Sequence, residues 1–362
     1  MLYRIFSCCT LVAALGLIVP ATAAANTGHK SATKSSISKA SNHSTKAKPS
    51  AKNKSAKATK TSKASKSAAK TSKTATKSSN KQITNRAIAN ARKDVTISRA
   101  LAMSTTLDNP GVQSTGVLVL NEQSGEIMFE KNADAVTPIA SITKLMTAMV
   151  TLDAQLPLNE LLTISQADID TLKNTTSRLT VGTTLTRGEL LLLALMASEN
   201  RAAAALARTF PAGQATFIRK MNEKAQSLGM RTSRFYDSTG LTPSNVSTPR
   251  ELALMVKAAH RYPEIHDFTT SSEYSFISSQ TGRNLAFHNT NPLVKAEDWT
   301  IGVSKTGFIN EAGRCLVMQA TIDGTPVVIV LLDSNGKYTR IGDAQRVRKW
   351  IETTSASKLR AG

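Results

Sequence analysis

Three short groupings in this chain carry side chains suited to covalent catalysis. Ser141 and Lys144 make a Ser-x-x-Lys, Ser198 and Asn200 a Ser-x-Asn, and Lys305-Thr306-Gly307 a Lys-Thr-Gly. Residues three apart on a helix share a face, so Ser141 and Lys144 would point into one cleft. A serine hydroxyl is a poor nucleophile until a base takes its proton. Lysine is such a base only when neutral, and burial or a second cation, here Lys305, would lower its pKa. A helix beginning at Ser141 would add free backbone N–H groups near an attacked carbonyl. The N–H groups of Ser141 and Phe308 are the candidate halves of an oxyanion hole. Ser198 would relay a proton between Lys144 and a leaving group and Asn200 would hold a substrate amide, although Ser and Asn also favour helix ends. Lys305 and Thr306 would take a carboxylate, and Gly307 would leave space for a substrate backbone along a strand edge.

Each grouping alone is weak. The N-terminal region holds accidental copies: Ser31-Ala32-Thr33-Lys34, Ser36-Ile37-Ser38-Lys39, Ser78-Ser79-Asn80 and the near-match Lys70-Thr71-Ser72. Context separates them. After Pro138, the apolar residues Ile142, Leu145, Met146, Met149, Val150 and Leu152 recur at helical spacing, so a buried helix starts near Ser141. Asn200 follows an apolar helical run, Leu190 to Met196, and precedes another, Ala202 to Leu206. Lys305 sits on a strand pattern that Gly307 is expected to end.

The elements that must position these groups follow from the same patterning. Gly116 to Leu120, a turn over Asn121 to Gly125, and Ile127 to Glu130 read as a hairpin. Gly213 to Leu228 and Pro249 to His260 read as helices. Thr300 to Lys305, Arg314 to Ile322 and Pro326 to Leu332 read as three antiparallel strands, and a last helix covers about Ile341 to Thr353. Strands at both ends with helices between predict one sheet that unites the two ends, plus a helical lobe, an α/β chain of the α+β kind.

Charge divides the chain. The formal net charge is +21 over 362 residues. Through Lys93 there are 19 basic residues and no acidic one, which leaves 27 basic residues against all 25 acidic ones. A polycationic tail is joined to a nearly neutral body. Aromatic content of 4% leaves little base-stacking surface, and the chain opens with an export signal, so nucleic acid is not an expected partner. That signal comprises Arg4, the apolar run Leu11 to Val19, Pro20 and the small-residue site Ala21-Thr22-Ala23. Residues 5–19 fall short of the roughly 20 needed to span a bilayer, so cleavage and a periplasmic location are expected. Cys8 and Cys9 lie too early for a lipoprotein signal, and after cleavage Cys315 has no partner for an internal disulfide. The expected organisation is a signal peptide over 1–25, a disordered Lys/Ser/Ala/Thr-rich tail over 26–85, a transitional segment over 86–110, a catalytic domain over 111–353 and a C-terminal tail over 354–362. The 15 lysines between Lys30 and Lys81 would bind anionic wall or membrane surfaces in a salt-dependent way.

Together the three groupings are the set shared by serine β-lactamases and penicillin-binding proteins. The stretches Pro138 to Asp153, Leu191 to Ala207 and Ser304 to Met318 resemble the low-molecular-mass penicillin-binding proteins. They are most similar to the D-alanyl-D-alanine endopeptidase branch, the penicillin-binding protein 7 type. Ser198-Glu199-Asn200-Arg201-Ala202-Ala203, Thr306-Gly307-Phe308, Asn289-Thr290-Asn291 and Gly313-Arg314-Cys315-Leu316-Val317-Met318 are especially alike. The resemblance covers about Gly111 to Glu352 and excludes the lysine-rich tail. It implies the transpeptidase-like fold of the serine β-lactamase and DD-peptidase group: an antiparallel sheet flanked by helices, with a helical lobe and the active site between. It also implies Ser141 as nucleophile, Lys144 as base, Ser198 and Asn200 as the second motif, and Lys305, Thr306 and Gly307 as the substrate-edge strand. Cross-linked peptidoglycan peptides are the implied substrate and β-lactams the implied covalent inhibitors. A D-Ala-D-Ala carboxypeptidase is the alternative, and a non-catalytic basic protein binding wall or nucleic acid is a remoter one.

Other chemistries are disfavoured. There is no His-Glu-x-x-His, the five histidines lack metal-ligand spacing and no glycine-rich phosphate loop appears, so neither metal nor cofactor is expected. No Glu-x-x-Leu-Asn lies between Asn200 and Lys305, which argues against a class A β-lactamase. The short stretch after Gly307 argues against the second β domain and amphipathic anchor of carboxypeptidase relatives.

Overall fold

The computed structural model describes residues 109–361, with side chains through residue 357. The expected signal peptide, the lysine-rich tail and nearly all of the transitional segment lie outside the described residues. The first strands are β1 (Gly116–Asn121), β2 (Ile127–Lys131) and β3 (Thr137–Pro138), and helix α1 (Thr143–Asp153) follows. Next come β4 (Leu161–Thr163), β5 (Thr184–Thr186), α2 (Arg187–Met196), α3 (Asn200–Arg208) and α4 (Gly213–Ser227). After β6 (Val246–Ser247), α5 (Pro249–Ala259) and α6 (Pro263–Thr270) lead into β7 (Glu273–Ile277) and β8 (Asn284–His288). The chain closes with β9 (Thr300–Ile309), β10 (Gly313–Ile322), β11 (Thr325–Ser334) and α7 (Thr339–Ala361).

One antiparallel sheet in the order β2-β1-β11-β10-β9 organises the body. The two ends of the body meet there, β1 pairing with β11 with Gly116 opposite Leu332. Alternate residues of a strand face opposite ways, and both faces here are covered. Leu118, Val317 and Val330 pack with Ile142, Met146 and Leu191 of the helical lobe. Val117, Met318 and Ile329 pack with Val347 and Ile351 of α7. Double burial is why the central strands read as near-continuous apolar runs.

Helix α1 runs through the lobe with Thr143 to Thr151 all buried. Its buried hydroxyls therefore need partners. Thr147 Oγ1 donates to the Ser238 carbonyl at 2.7 Å, Thr151 Oγ1 to the Thr147 carbonyl at 2.8 Å, and Thr143 Oγ1 accepts from Asn245 Nδ2 at 3.1 Å. Helix α2 begins with a reciprocal cap between Thr186 and Glu189. Proline opens α5 just after Thr248, whose Oγ1 accepts from the Glu251 N–H at 3.1 Å.

Two expectations need correction. Strand β9 does not end at Gly307 but pairs on to Ile309, with Gly307 opposite Cys315. The turn follows Ile309 and closes at Gly313, whose φ of +60° suits glycine. Helix α7 takes in all but the last of the residues expected to form a C-terminal tail. No proline or glycine interrupts it between Gly342 and Gly362, and the Thr354 hydroxyl bonds back to the Trp350 carbonyl at 2.9 Å. Among the described residues, no helix is long and apolar enough to cross a membrane.

Candidate active site

Ser141 sits in a single 3₁₀ turn, Ala140–Ile142, that leads directly into α1. The turn is wedged between two glycines. A Cβ on Gly307 would lie 3.1 Å from the Ser141 nitrogen, and one on Gly240 would lie 1.9 Å from the Ala140 carbonyl oxygen. Gly240 also has φ +80°, so both the close approach and the backbone require glycine there. Ala140 itself holds φ +48°, a strained value for a residue with a side chain.

One helical turn on, Lys144 is fully buried. Its Nζ donates to Ser141 Oγ at 2.8 Å, Asn200 Oδ1 at 2.7 Å and the Thr239 carbonyl at 2.6 Å. Three acceptors match the three donors of an ammonium. Burial drives the Lys144 pKa down to about 7, while the carboxylates of Asp237 and Glu199 pull it upward. Burial, rather than a second cation, is thus the main cause. A lysine so placed can take the Ser141 proton near neutral pH.

Ser198, at φ +61°, links α2 to α3. Its Oγ accepts from Lys305 Nζ at 2.9 Å. The relay partner expected for Ser198 was Lys144, but the structure bonds it to Lys305. Lys305 is 1% exposed and also donates to the Thr306 carbonyl at 2.9 Å. Burial lowers its pKa well below the ordinary lysine range, with the charges of Lys144 and Arg340 adding to the effect. Asn200 opens α3 and joins two sides of the site, accepting from Lys144 and donating from Nδ2 to Thr175 Oγ1 at 3.1 Å. The Thr306 hydroxyl bonds Thr290 Oγ1 at 2.7 Å.

All eight residues singled out from the sequence therefore gather in one place. Ser141, Ser198, Asn200, Thr306, Gly307 and Phe308 line a cleft of about 410 Å³ between the edge strand β9 and the lobe. Lys144 and Lys305 lie beneath it, bonded to its serines. Phe308 is half-exposed at the rim, with the Arg314 guanidinium 4.5 Å from its ring centroid.

Two contributors were not read from the sequence. Asp237 accepts from the N–H groups of Thr239 at 3.0 Å, Gly240 at 2.6 Å and Thr242 at 3.1 Å, a turn that aims the Thr239 carbonyl at Lys144. Arg340, in the first turn of α7, lines the cleft while its Nε and Nη1 are buried without hydrogen-bond partners. An unpaired guanidinium in a cleft is a receptor for a carboxylate. Neither stands out locally: Asp-Ser-Thr-Gly reads as an ordinary turn, and one arginine is unremarkable in a chain with 46 basic residues. Among the described residues, no group of three His, Cys, Asp or Glu side chains is arranged to hold a metal.

A serine hydroxyl bonded to a buried, readily deprotonated lysine, beside a strand edge lined with cations, defines a serine acyl-transfer site on a transpeptidase-type fold. Residues 103–336 match the family model described as D-alanyl-D-alanine carboxypeptidase, peptidase S11. The chain belongs to that family of serine DD-peptidases. It is 45% identical over 248 residues to a D-alanyl-D-alanine endopeptidase of Pseudomonas aeruginosa, covering 68% of this chain and 80% of the relative. It is likewise 45% identical over 252 residues to the Escherichia coli D-alanyl-D-alanine endopeptidase, covering 70% of this chain and 81% of that protein. The crystal structure of a Streptomyces DD-transpeptidase superposes with a TM-score of 0.62 at 30% identity, over 67% of this chain and 98% of the other.

Proposed function

We propose that this protein is an exported serine D-alanyl-D-alanine endopeptidase that opens D-Ala cross-links in peptidoglycan through an acyl-enzyme on Ser141. The observation that carries the chemistry is the 2.8 Å bond between Lys144 Nζ and Ser141 Oγ in a buried setting. Neutral Lys144 takes the hydroxyl proton as Ser141 attacks the D-Ala carbonyl, and the N–H groups of Ser141 and Phe308 receive the oxyanion. The proton then passes to the leaving amine, with Ser198 and the Lys305 amine bonded to it on that side of the cleft. Asn200 holds a substrate amide. Thr306 and Arg340 bind the carboxylate one residue beyond the scissile bond, and that negative charge favours the protonated form of Lys305 beneath them. Water admitted after the leaving group departs is activated by Lys144 in turn and frees the enzyme.

Endopeptidase rather than carboxypeptidase action is favoured by the relatives, since the curated endopeptidases reach 45% identity and a Streptomyces carboxypeptidase 31%. Covalent capture by β-lactams is supported by a related Listeria monocytogenes penicillin-binding protein solved in its ampicillin-bound form, with a TM-score of 0.57 and 28% identity. We infer from the export signal read at the N-terminus that the enzyme works in the periplasm, and that the lysine-rich tail holds it on anionic wall or membrane surfaces.

The deciding experiment has two arms. A fluorescent penicillin should label the wild-type protein and not Ser141→Ala; labelling that survives in the variant refutes the nucleophile assignment. Purified enzyme given cross-linked muropeptide dimers and pentapeptides at equal concentration should convert dimers to monomers faster. Rapid release of free D-Ala with intact dimers would make it a carboxypeptidase.

A further inference from the structure

The second motif contains a carboxylate that the chemistry above does not use. Glu199 stands between Ser198 and Asn200, at the N-terminus of α3, yet its side chain does not cap that helix. It turns instead to the neighbouring wall of the cleft, where it accepts from Ser177 Oγ at 2.7 Å and from the Arg178 backbone N–H. Asn200 grips the same wall through Thr175 at 3.1 Å. The far end of the wall is pinned by Asp170, whose Oδ2 accepts from the Thr175 N–H and hydroxyl, each at 2.8 Å. The preceding residue, Ser198, is held in a left-handed backbone conformation, which sets the direction in which Glu199 leaves the chain.

Charge adds to this geometry. The groups facing Lys144 are the carboxylates of Glu199 and Asp237 and the amine of Lys305, whose own pKa burial lowers. Burial raises the Glu199 pKa above the ordinary carboxylate value, while the bonds from Ser177 and the Arg178 N–H and the facing charges of Arg178 and Lys144 favour its ionised form. We propose that Glu199 is a positioning residue of the acylation reaction: its carboxylate fastens the 170–178 wall to the second motif and supplies a negative charge facing the Lys144 ammonium. The inference rests on Ser141 as nucleophile and Lys144 as its base.

Tether and charge are separable. Glu199→Gln keeps an acceptor for the wall and removes the charge. Glu199→Asp keeps the charge and shortens the reach. Without the negative charge Lys144 loses its proton more easily, so the acid limb of the pH profile moves to lower pH.

The test measures the second-order rate constant of labelling by a fluorescent penicillin from pH 5 to pH 9, with thermal midpoints taken alongside. The acid limb of Glu199→Gln should shift down by on the order of half a pH unit, making it about threefold faster than wild type at acid pH. Glu199→Asp should keep the wild-type midpoint while labelling more slowly throughout, because the wall is loosened. A Glu199→Gln profile that keeps the wild-type midpoint, or moves upward, overturns the inference while leaving the Ser141 and Lys144 assignments standing. A wild-type protein labelled on another serine, or with no acid limb, removes those assignments and this inference together.

Discussion

Gly240 offers a severe test of how the nucleophile is held. A Cβ there would sit 1.9 Å from the Ala140 carbonyl oxygen, 2.4 Å from its carbon and 2.9 Å from the Ser141 nitrogen. Non-bonded Cβ atoms do not approach backbone within about 3.0 Å, so Gly240→Ala must open the gap by about 1 Å. Both sides of the gap belong to the site. One carries Ser141, and the other carries the Thr239 carbonyl that Lys144 bonds at 2.6 Å. A displacement of about 1 Å in a catalytic group costs on the order of a hundredfold in rate. Stability suffers as well: alanine in a left-handed conformation costs about 1–2 kcal/mol, and overpacking a rigid site about 1–3 kcal/mol more. Gly307→Ala is the natural comparison, because its added Cβ would meet the Ile139 oxygen at 3.0 Å and Ala140 Cβ at 3.1 Å, which a shift of a few tenths of an ångström relieves. Urea unfolding and the rate of fluorescent-penicillin labelling should therefore rank wild type, Gly307→Ala, Gly240→Ala in falling stability, with labelling of the last reduced about a hundredfold or more. A Gly240→Ala protein with the wild-type urea midpoint and labelling rate would refute the argument that this glycine seats the Ser141 turn.

Further outcomes follow from the buried charges and from the tail. The pKa of Lys144 falls from 10.5 to about 7 on folding, so between those values the folded state binds fewer protons and stability rises with pH, by up to about 1.4 kcal/mol per unit. The stability gained by Lys144→Met should accordingly shrink between pH 7 and pH 10 in urea titrations, and a pH-independent difference would contradict the burial of an ionisable lysine. Arg340→Ala should lose about ten- to a hundredfold in kcat/KM on a peptide with a free carboxylate beyond the scissile bond, from a charged hydrogen bond of roughly 1.5–3 kcal/mol. The amidated peptide should lose far less, and equal losses would show that Arg340 does not touch that carboxylate. Deleting residues 26–82 should leave hydrolysis of soluble peptides unchanged and weaken wall retention at low salt. Equal retention across a salt series would reduce the tail to a tether.

What was legible in the sequence is what side-chain type and period can encode. The strands β1, β10 and β11 and the helix α1 announce themselves because burial on both sides leaves few polar residues in them. The hairpin β7–β8 went unread, although Tyr274 and Phe276 alternate with polar neighbours and Phe276 stacks on Phe287 at 6.1 Å. Each strand is only five residues long and is flanked by Ser- and Thr-rich stretches, Thr269 to Ser272 and Ser278 to Thr281, so the alternation is too brief to stand out from its polar surroundings. The site divides in the same way. Ser141, Lys144, Ser198, Asn200 and Lys305 are typed residues at fixed spacings, and all gather at the cleft, the two serines and Asn200 lining it and the two lysines beneath. The Thr239 carbonyl is backbone, present at every position, and only the turn held by Asp237 gives it meaning. The Ser-x-x-Lys copies near the N-terminus lie outside the described residues, but the cleft shows what such a spacing needs in order to act. The acceptors of Lys144 come from Ser141 beside α1, Asn200 on α3 and the loop at Thr239, separated by 3, 56 and 95 residues along the chain. A lysine surrendered to that depth of burial needs every one of those partners, and a Ser-x-x-Lys without distant partners leaves its lysine solvated and protonated. The spacing names the candidates, but the fold that joins three remote segments is what turns a lysine into a base.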